Sequence, residues 1–275
     1  MIERLPWSLS VLISRWRNRF RYLLAAHRVY RNWWAWTLPK FGVGVVLELR
    51  NGLRYLVRAR TTDLGTINDA VINNPYLGGG ILKLPKDAVI VDVGANIGDF
   101  CIQAAAACPD GQVFAIEPIA ENASMILVNQ LLNGMSNIRV LQAALGARNG
   151  EIEMNRAGNA PSAYWGATGA RTEKVRLMSL AEMIRECKIE AIDLLKLDCE
   201  GAEWDILPPC AEILPKVRQI GMEFHLSRGW TAEKLASCLR DRGYKVKHTG
   251  GGWNGILWAT RDDGGSIGSF GNASS

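Results

Sequence analysis

From Val89 onward, short apolar runs alternate with longer stretches of helical periodicity. Val89–Val93 is a strand-like run closed by Gly94 and Gly98, and the alanine-rich segment Asp99–Cys108 that follows has the composition of a helix packed closely on a sheet. A second run, Val113–Ile116, ends at Glu117; Glu121–Leu132 returns to helical spacing, and Ile138–Leu141 is a third strand. Further on, Ile192–Leu197 and Val217–His225 read as strands and Ala232–Arg242 as a helix. Tyr244–His248 and Gly255–Thr260 then make a closing hairpin around Gly250–Asn254. Strands alternating with helices predict an α/β fold on a mostly parallel sheet. Before it, Gly42–Leu49 and Leu53–Arg58 flank an Asn51-Gly52 turn and predict a hairpin, and Thr61–Tyr76 reads as a helix running into Pro75. Residues 151–176 break the rhythm, with Tyr164 and Trp165 inside a Gly/Ala/Ser stretch suited either to stacking on a sugar face or to anchoring the loop by burial.

The first 40 residues follow a different pattern. Trp16, Phe20, Leu23, His27, Tyr30 and Trp34 recur at three- and four-residue intervals, which on a continuous helix gathers them on one side and leaves Arg15, Arg17, Arg21, Arg28 and Arg31 outside it. Such a helix suits two tasks equally: peripheral contact with a membrane through residues 10–38, or capping the core or a dimer interface. No apolar run is long enough to span a bilayer, and arginines interrupt the one stretch that could serve as a secretory signal, so the expected location is the cytoplasm, at most peripheral to the membrane.

Charge sharpens this division. Residues 1–40 hold seven arginines and Lys40 against Glu3, a net +7, and the remaining 24 basic and 26 acidic residues give −2, which together restore the +5 of the 275-residue chain. A basic excess confined to an appendage argues against a nucleic-acid-binding core. The six cysteines have no metal-knuckle spacing and read as small buried hydrophobes. The expected organisation is a basic aromatic appendage (1–40), one α/β domain (41–260) and a Gly/Ser-rich tail (261–275), with no internal repeat and an oligomeric state left open.

The turn after the first strand carries the chemistry. Glycine there permits backbone angles closed to other residues, and Glu117, 23 residues after Gly94, places a carboxylate where a strand edge can receive two ribose hydroxyls. The sequence Gly94-Ala95-Asn96-Ile97-Gly98 has Asn96 where the dinucleotide fingerprint has its second glycine, which disfavours a pyrophosphate and an NAD-dependent oxidoreductase. Asp92 would repel phosphate but suits a cationic or amino-acid-like group. S-adenosylmethionine, which has a ribose, a sulfonium and an aminocarboxylate but no phosphate, matches Asp92, Gly94, Asn96, Gly98 and Glu117 as a binding set.

At this point the chain resembles the FkbM family of S-adenosylmethionine-dependent methyltransferases. The resemblance runs through Val91–Asp99, Ile116-Glu117-Pro118, Asn129–Gly134 and Ala144–Gly146, and most specifically through Leu195-Lys-Leu-Asp-Cys-Glu-Gly-Ala-Glu203 with the following Glu223-Phe-His225. It covers roughly 42 to 260 and is absent from the first 40 residues. It implies a Rossmann-like seven-stranded sheet ending in an antiparallel hairpin, and methyl transfer to a hydroxyl of a sugar, glycan or secondary metabolite. It also implies a polar side chain beside the adenine, here Gln142, which reads equally as a surface residue at a strand end, and an acid and an aromatic resembling Asp63 and Tyr76 ahead of the cofactor turn, which either lean over the cofactor or serve the structure. A non-catalytic, membrane-associated member that binds the cofactor is a further alternative.

Asp198, Glu200 and Glu203 follow a strand containing Lys196, at the sheet edge where open α/β folds bind ligands, and Glu223 and His225 share one side of the next strand. The expected catalytic set is His225 as base, Glu200 or Glu223 orienting it, and Asp198 near the methyl or the acceptor hydroxyl. The alternative is a divalent ion, Mg²⁺ or Ca²⁺, on Asp198, Glu223 and Glu200. Lys196 reads equally as an ion-pair partner, and Glu203 as a helix-starting acid.

Overall fold

The computed structural model describes residues 22–80, 82–156, 163–164, 172–207, 212–225, 231–250 and 254–261. Trp16, Phe20, Trp165 and the tail from Asp262 therefore lie outside the described residues. The chain divides into two units, Met1–Arg60 and Thr61–Ser275. The division falls after Arg60 rather than after residue 40, because the predicted hairpin is built into the first unit.

Within that unit, a helix at 22–29 (α1) is followed by a 3₁₀ helix, Trp33–Phe41, and by the antiparallel hairpin of β1 (Val45–Glu48) and β2 (Arg54–Val57). Gly52, at φ 93°, supplies the left-handed turn that the Asn-Gly pair predicts. Asn32 ties the segments together: its amide donates to the Val46 carbonyl at 2.8 Å and its oxygen accepts from Glu48 N at 2.9 Å. Tyr30, Trp36, Leu47, Tyr55 and Val57 form a small core. The single helix expected to carry the aromatic stripe is thus interrupted. Tyr30 leaves helical geometry to bridge Leu49 and is buried, whereas Trp34 is exposed, so the two do not share a face.

The second unit begins with α2 (Asp63–Asn68), which widens into a π turn over Asp69–Asn73 and stops at Asn74, in the left-handed region, immediately before Pro75. There follow β3 (Val89–Val93), α3 (Cys101–Ala107), β4 (Gln112–Ile116), α4 (Ala120–Leu132) and β5 (Ile138–Leu141). After β6 (Ala144–Gly146), β7 (Gly150–Arg156), β8 (Ala163–Tyr164) and β9 (Thr172–Ser179), α5 (Leu180–Cys187) leads into β10 (Ile192–Leu197). The chain closes with α6 (Glu203–Ile206), β11 (Val217–His225), α7 (Ala232–Arg240), β12 (Tyr244–Thr249) and β13 (Asn254–Arg261).

Seven strands form one sheet in the order β12-β13-β11-β10-β3-β4-β5, parallel from β11 to β5, with β13 antiparallel to both β11 and β12. The expected reversed terminal pair is present. Strand order runs outward in opposite directions from the β3/β10 junction, and a ligand crevice belongs at the carboxyl ends of such a pair. β3 and β10 are buried on both faces, as central parallel strands must be.

Residues 151–176, read from sequence as a break in the alternation, fall within a second sheet built from residues 144–179 in the order β6-β9-β7-β8. β7 and β9 pair antiparallel from Gly150↔Leu177 to Asn155↔Thr172, and Met154, Val175 and Leu177 bury one face. β9 hands over directly to α5 through Ser179, whose hydroxyl accepts from Glu182 N at 3.1 Å.

One charged pair lies in the middle of the main sheet. Asp92 on β3 and Lys196 on β10 are register partners, 0% and 2% exposed, with Nζ 2.9 Å from Oδ1. Burial works against the ammonium, but Asp92 and then Asp198 outweigh it and hold the Lys196 pKa above its ordinary value. Replacing Lys196 by methionine leaves Asp92 buried without its cation, with an expected loss of about 3–5 kcal/mol in urea unfolding; adding Asp92→Leu should restore much of it. Equal stability of the single variant and the parent protein would show that the pair does not stabilise the sheet.

Candidate active site

A cavity of about 290 Å³ opens at the carboxyl ends of β3, β4 and β10. The turn after β3 forms part of its wall. Gly94, at φ 74°, cannot be replaced by a residue with a side chain, because a Cβ would stand 1.9 Å from the Asp198 carbonyl oxygen. The close approach permitted by this glycine is therefore between two backbone segments, and it brings the loop after β10 against the loop after β3. Gly94 and Ala95 both donate to Ile116 O at 3.0 Å, and Asp198 N donates to Val93 O at 3.1 Å, so the three strand ends are stitched together.

Glu117 sits just past β4, 5% exposed. One carboxylate oxygen accepts from Asn96 N and the other from Ile119 N, each at 2.9 Å. Asn96 presents its N–H by adopting φ 48°, which asparagine tolerates better than most residues. Burial pushes the Glu117 carboxyl up to about 7, against the donors Ile119, Asn96 and Asn122. Asn122 lines the cavity beside it, and Asn129 secures the turn from behind by donating to Ile97 O at 2.8 Å.

Two expected cofactor residues are placed otherwise. Asp92 does not line the cavity; the cation it faces is Lys196 of its own chain. Gln142 is exposed and off the cavity wall, where Ala143, Ala144 and Leu145 stand instead, because the backbone turns back at this point, with Ala143 N donating to Leu141 O. Gly94, Asn96 and Glu117 line the cavity as expected, whereas Gly98, at φ 90°, shapes the turn from outside the wall.

The acidic side is organised by Glu203. Fully buried at the start of α6, it accepts through Oε1 from Cys199 N at 3.0 Å and Gly201 N at 3.2 Å, which pins the loop in which Glu200 (φ 55°) and Gly201 (φ 103°) take left-handed backbone angles. A helix-starting acid thus serves as the staple of the loop. Asp198, Glu200 and Glu223 line the cavity. Glu223 is held by Asn254, whose amide donates to Oε1 at 2.9 Å; its pKa is raised by burial first and by Asp198 next. Burial likewise raises Glu200.

His225, the expected base, is not on the cavity wall. Its Nδ1 lies 3.4 Å from Glu203 Oε1 and its Nε2 3.4 Å from Glu200 Oε2. The Glu203 carboxylate raises its pKa to about 9 against the pull of burial, with Glu200 and Glu223 adding to the rise. At neutral pH it is an imidazolium clasped by two acids, with no free lone pair for a proton. Among the described residues, no three His, Cys, Asp or Glu side chains gather as a metal site requires, so nothing in the geometry supports the ion-binding alternative on Asp198, Glu200 and Glu223.

The family resemblance left Tyr76 either leaning over the cofactor or serving the structure. In the structure it lines the cavity, 5% exposed, with its ring edge-on to Phe100 at 5.5 Å and packed over Gly221, where a Cβ would come within 3.0 Å of it. Trp258 fixes the preceding turn by donating to Pro75 O at 2.9 Å. The Tyr76 hydroxyl has no hydrogen-bond partner among the described residues. Burial and then Asp198 keep the phenol protonated, so it can act only as a donor or a neutral acceptor.

Among the described residues, the cavity wall carries acids and amides but no lysine, arginine or histidine to pair with a pyrophosphate. A buried carboxylate held by backbone donors, a glycine turn and further acids on the wall suit a phosphate-free, positively charged nucleoside, which is the chemistry of S-adenosylmethionine. Comparison with known proteins agrees. The Methyltransferase FkbM domain matches residues 92–246, more than half of the chain.

The chain belongs to the FkbM methyltransferase family.

Membership makes it an S-adenosylmethionine-dependent methyltransferase. The 2-O-methyltransferase NoeI of Sinorhizobium fredii is 26% identical over 202 residues, which cover 66% of this chain and 79% of NoeI. Methyltransferase sdnD of Sordaria araneosa is 27% identical over 207 residues, covering 63% and 80%. The AMB antimetabolite synthetase AmbE of Pseudomonas aeruginosa is 30% identical over 221 residues, covering 64% of this chain and a tenth of AmbE.

Two measurements test the site. Tyr76→Phe should raise the Tm of the free protein by relieving an unpaired buried hydroxyl, a gain of about 1 kcal/mol, and should lower affinity for a ligand that supplies the missing partner; a lower Tm would show that the hydroxyl is already satisfied. For His225 the folded pKa lies above its unfolded value, so its stabilising contribution is complete below about 6.5 and fades as pH rises through about 9. The difference in urea midpoint between the parent protein and His225→Gln should shrink from pH 7 to pH 10, and a difference that grows with pH would reverse the assignment.

Proposed function

We propose that this FkbM-family methyltransferase is an O-methyltransferase acting on a hydroxyl of a sugar, glycan or secondary metabolite. The observation that carries the reading is the pairing of two walls: buried Glu117, held by Asn96 and Ile119, and the carboxylates of Asp198, Glu200 and Glu223. When bound, S-adenosylmethionine supplies an activated methyl group on a sulfonium. The chain's part is to hold and align the reactants and to accept one proton.

Glu117 receives the ribose hydroxyls, and the Gly94–Gly98 turn seats the nucleoside. Glu223 accepts the proton of the acceptor hydroxyl. Its pKa is raised towards the range where a carboxylate is an effective base, Asn254 fixes one oxygen, and the other remains for the acceptor. Glu200 is less suited because it faces His225. His225 positions Glu200 and Glu203 and balances their charge, rather than taking the proton. Asp198, 3.8 Å from Lys196 Nζ, lies beside the reacting groups. Hydroxyl acceptors are supported by the name of NoeI, a 2-O-methyltransferase.

Titration calorimetry with S-adenosylmethionine and S-adenosylhomocysteine tests both halves. Glu117→Ala should lower affinity for both by more than about tenfold through loss of a charge-assisted hydrogen-bond pair. Glu223→Gln should bind both normally and, with an accepted substrate, lose roughly 10²–10⁴ in kcat. No binding by the parent protein would overturn the cofactor assignment; full turnover by Glu223→Gln would move the base elsewhere.

A further inference from the structure

We propose that the first unit is a docking surface for an anionic lipid bilayer, with Trp33, Trp34, Phe41 and Val43 as the side chains that enter the headgroup layer. The 3₁₀ helix Trp33–Phe41 buries Ala35, Trp36 and Pro39 in its own unit but leaves Trp34 65% and Phe41 75% exposed. Trp33 is 42% exposed and Val43, just beyond the helix, 49%. A chain that can bury Trp36 and Tyr30 leaves two tryptophans and a phenylalanine outside within nine residues, and aromatic side chains left at a water boundary are the anchors of a membrane interface.

Charge identifies the occupant. Residues 1–60 carry twelve Lys and Arg against two acids, a net +10, whereas residues 61–275 carry 20 against 25, a net −5, which together give the chain's +5. Over 22–60 alone there are seven basic residues against Glu48. Arg28 and Arg31 precede the exposed tryptophans, and Lys40 sits beside Phe41 with its ammonium over the Trp36 ring at 5.0 Å, so cations flank the apolar tips at both ends of the helix. Basic residues beside partly inserted aromatics are what an anionic leaflet selects. A nucleic acid would match the charge and could stack on the rings, but it gives exposed Val43 and Val46 nothing to bury against. Among the described residues no helix is long and apolar enough to cross a membrane, so the attachment is peripheral.

The proposal does not rest on the methyltransferase reading, and its test uses the full chain. Flotation with vesicles of phosphatidylcholine alone, and with about one-third phosphatidylglycerol, should show binding only to the second, released by ~0.5 M salt. The variant Trp33→Ser/Trp34→Ser/Phe41→Ser should bind on the order of tenfold or more weakly, with circular dichroism and Tm of the parent protein. Absence of vesicle binding, unchanged binding by the triple variant, or displacement from vesicles by duplex DNA would each overturn it.

Discussion

The ion pair between Asp92 and Lys196 sets the geometry on which the site depends. The two residues are cross-strand neighbours on the central parallel strands, and neither reaches water. A buried lysine needs its carboxylate, so β3 and β10 can pair only in the register that brings the charges together. That register delivers Gly94 and Asp198 to the same height, where one backbone passes within a Cβ's reach of the other. Lys196 also donates to Gly94 O at 3.2 Å, which links the pair to the cofactor turn directly. The turn after β3 and the acidic loop after β10 are therefore held in fixed relation by this pair together with the backbone bonds between the strand ends.

Around that centre, the groups that do the positioning are mostly out of reach of any ligand. Glu203 holds the 198–201 loop through backbone donors, His225 spans Glu200 and Glu203, and Trp204 donates to the His225 carbonyl at 2.6 Å, returning the end of β11 to α6. The result is a loop with two successive left-handed residues that persists because its surroundings over-determine it. Within the six residues 198–203, Asp198 and Glu200 line the cavity while Glu203 shapes the loop from behind it, and this is what separates Glu200 from Glu203 in role.

The division between wall residues and the residues behind them bears on which parts of the site were legible in the sequence. The strand runs and the acid at the end of β4 are period and spacing, and both survive folding unchanged: Glu117 stands where its distance from Gly94 put it. The placement of Gln142 depended on how the backbone leaves β5, and no periodicity encodes a turn that tightens by one residue. The charge state of His225 depended on Glu203, whose side chain reaches it from α6, the helix before its own strand; nothing in a strand pattern separates a histidine facing a cavity from one facing two acids behind it. The β7–β9 pairing was concealed for another reason. Glu151-Ile-Glu-Met154 alternates as a half-buried strand should, but the partner strand lies some twenty residues away, beyond a Gly-rich stretch that masks the hairpin.

The cavity wall is chemically asymmetric. Around Glu117 it relies on backbone N–H groups, a glycine and one carboxylate, features that constrain what may replace them. Ala144, Leu145 and Met154 from the small second sheet add an apolar stretch to the wall, and Tyr76 and Phe100 add aromatic ones. The two rings also stand over the Lys196 ammonium, at 5.9 and 5.8 Å, which ties them to the ion pair. The apolar stretch at Ala144, Leu145 and Met154 has no such tie: it comes from the second sheet, whereas the acids come from the strand ends of the main one.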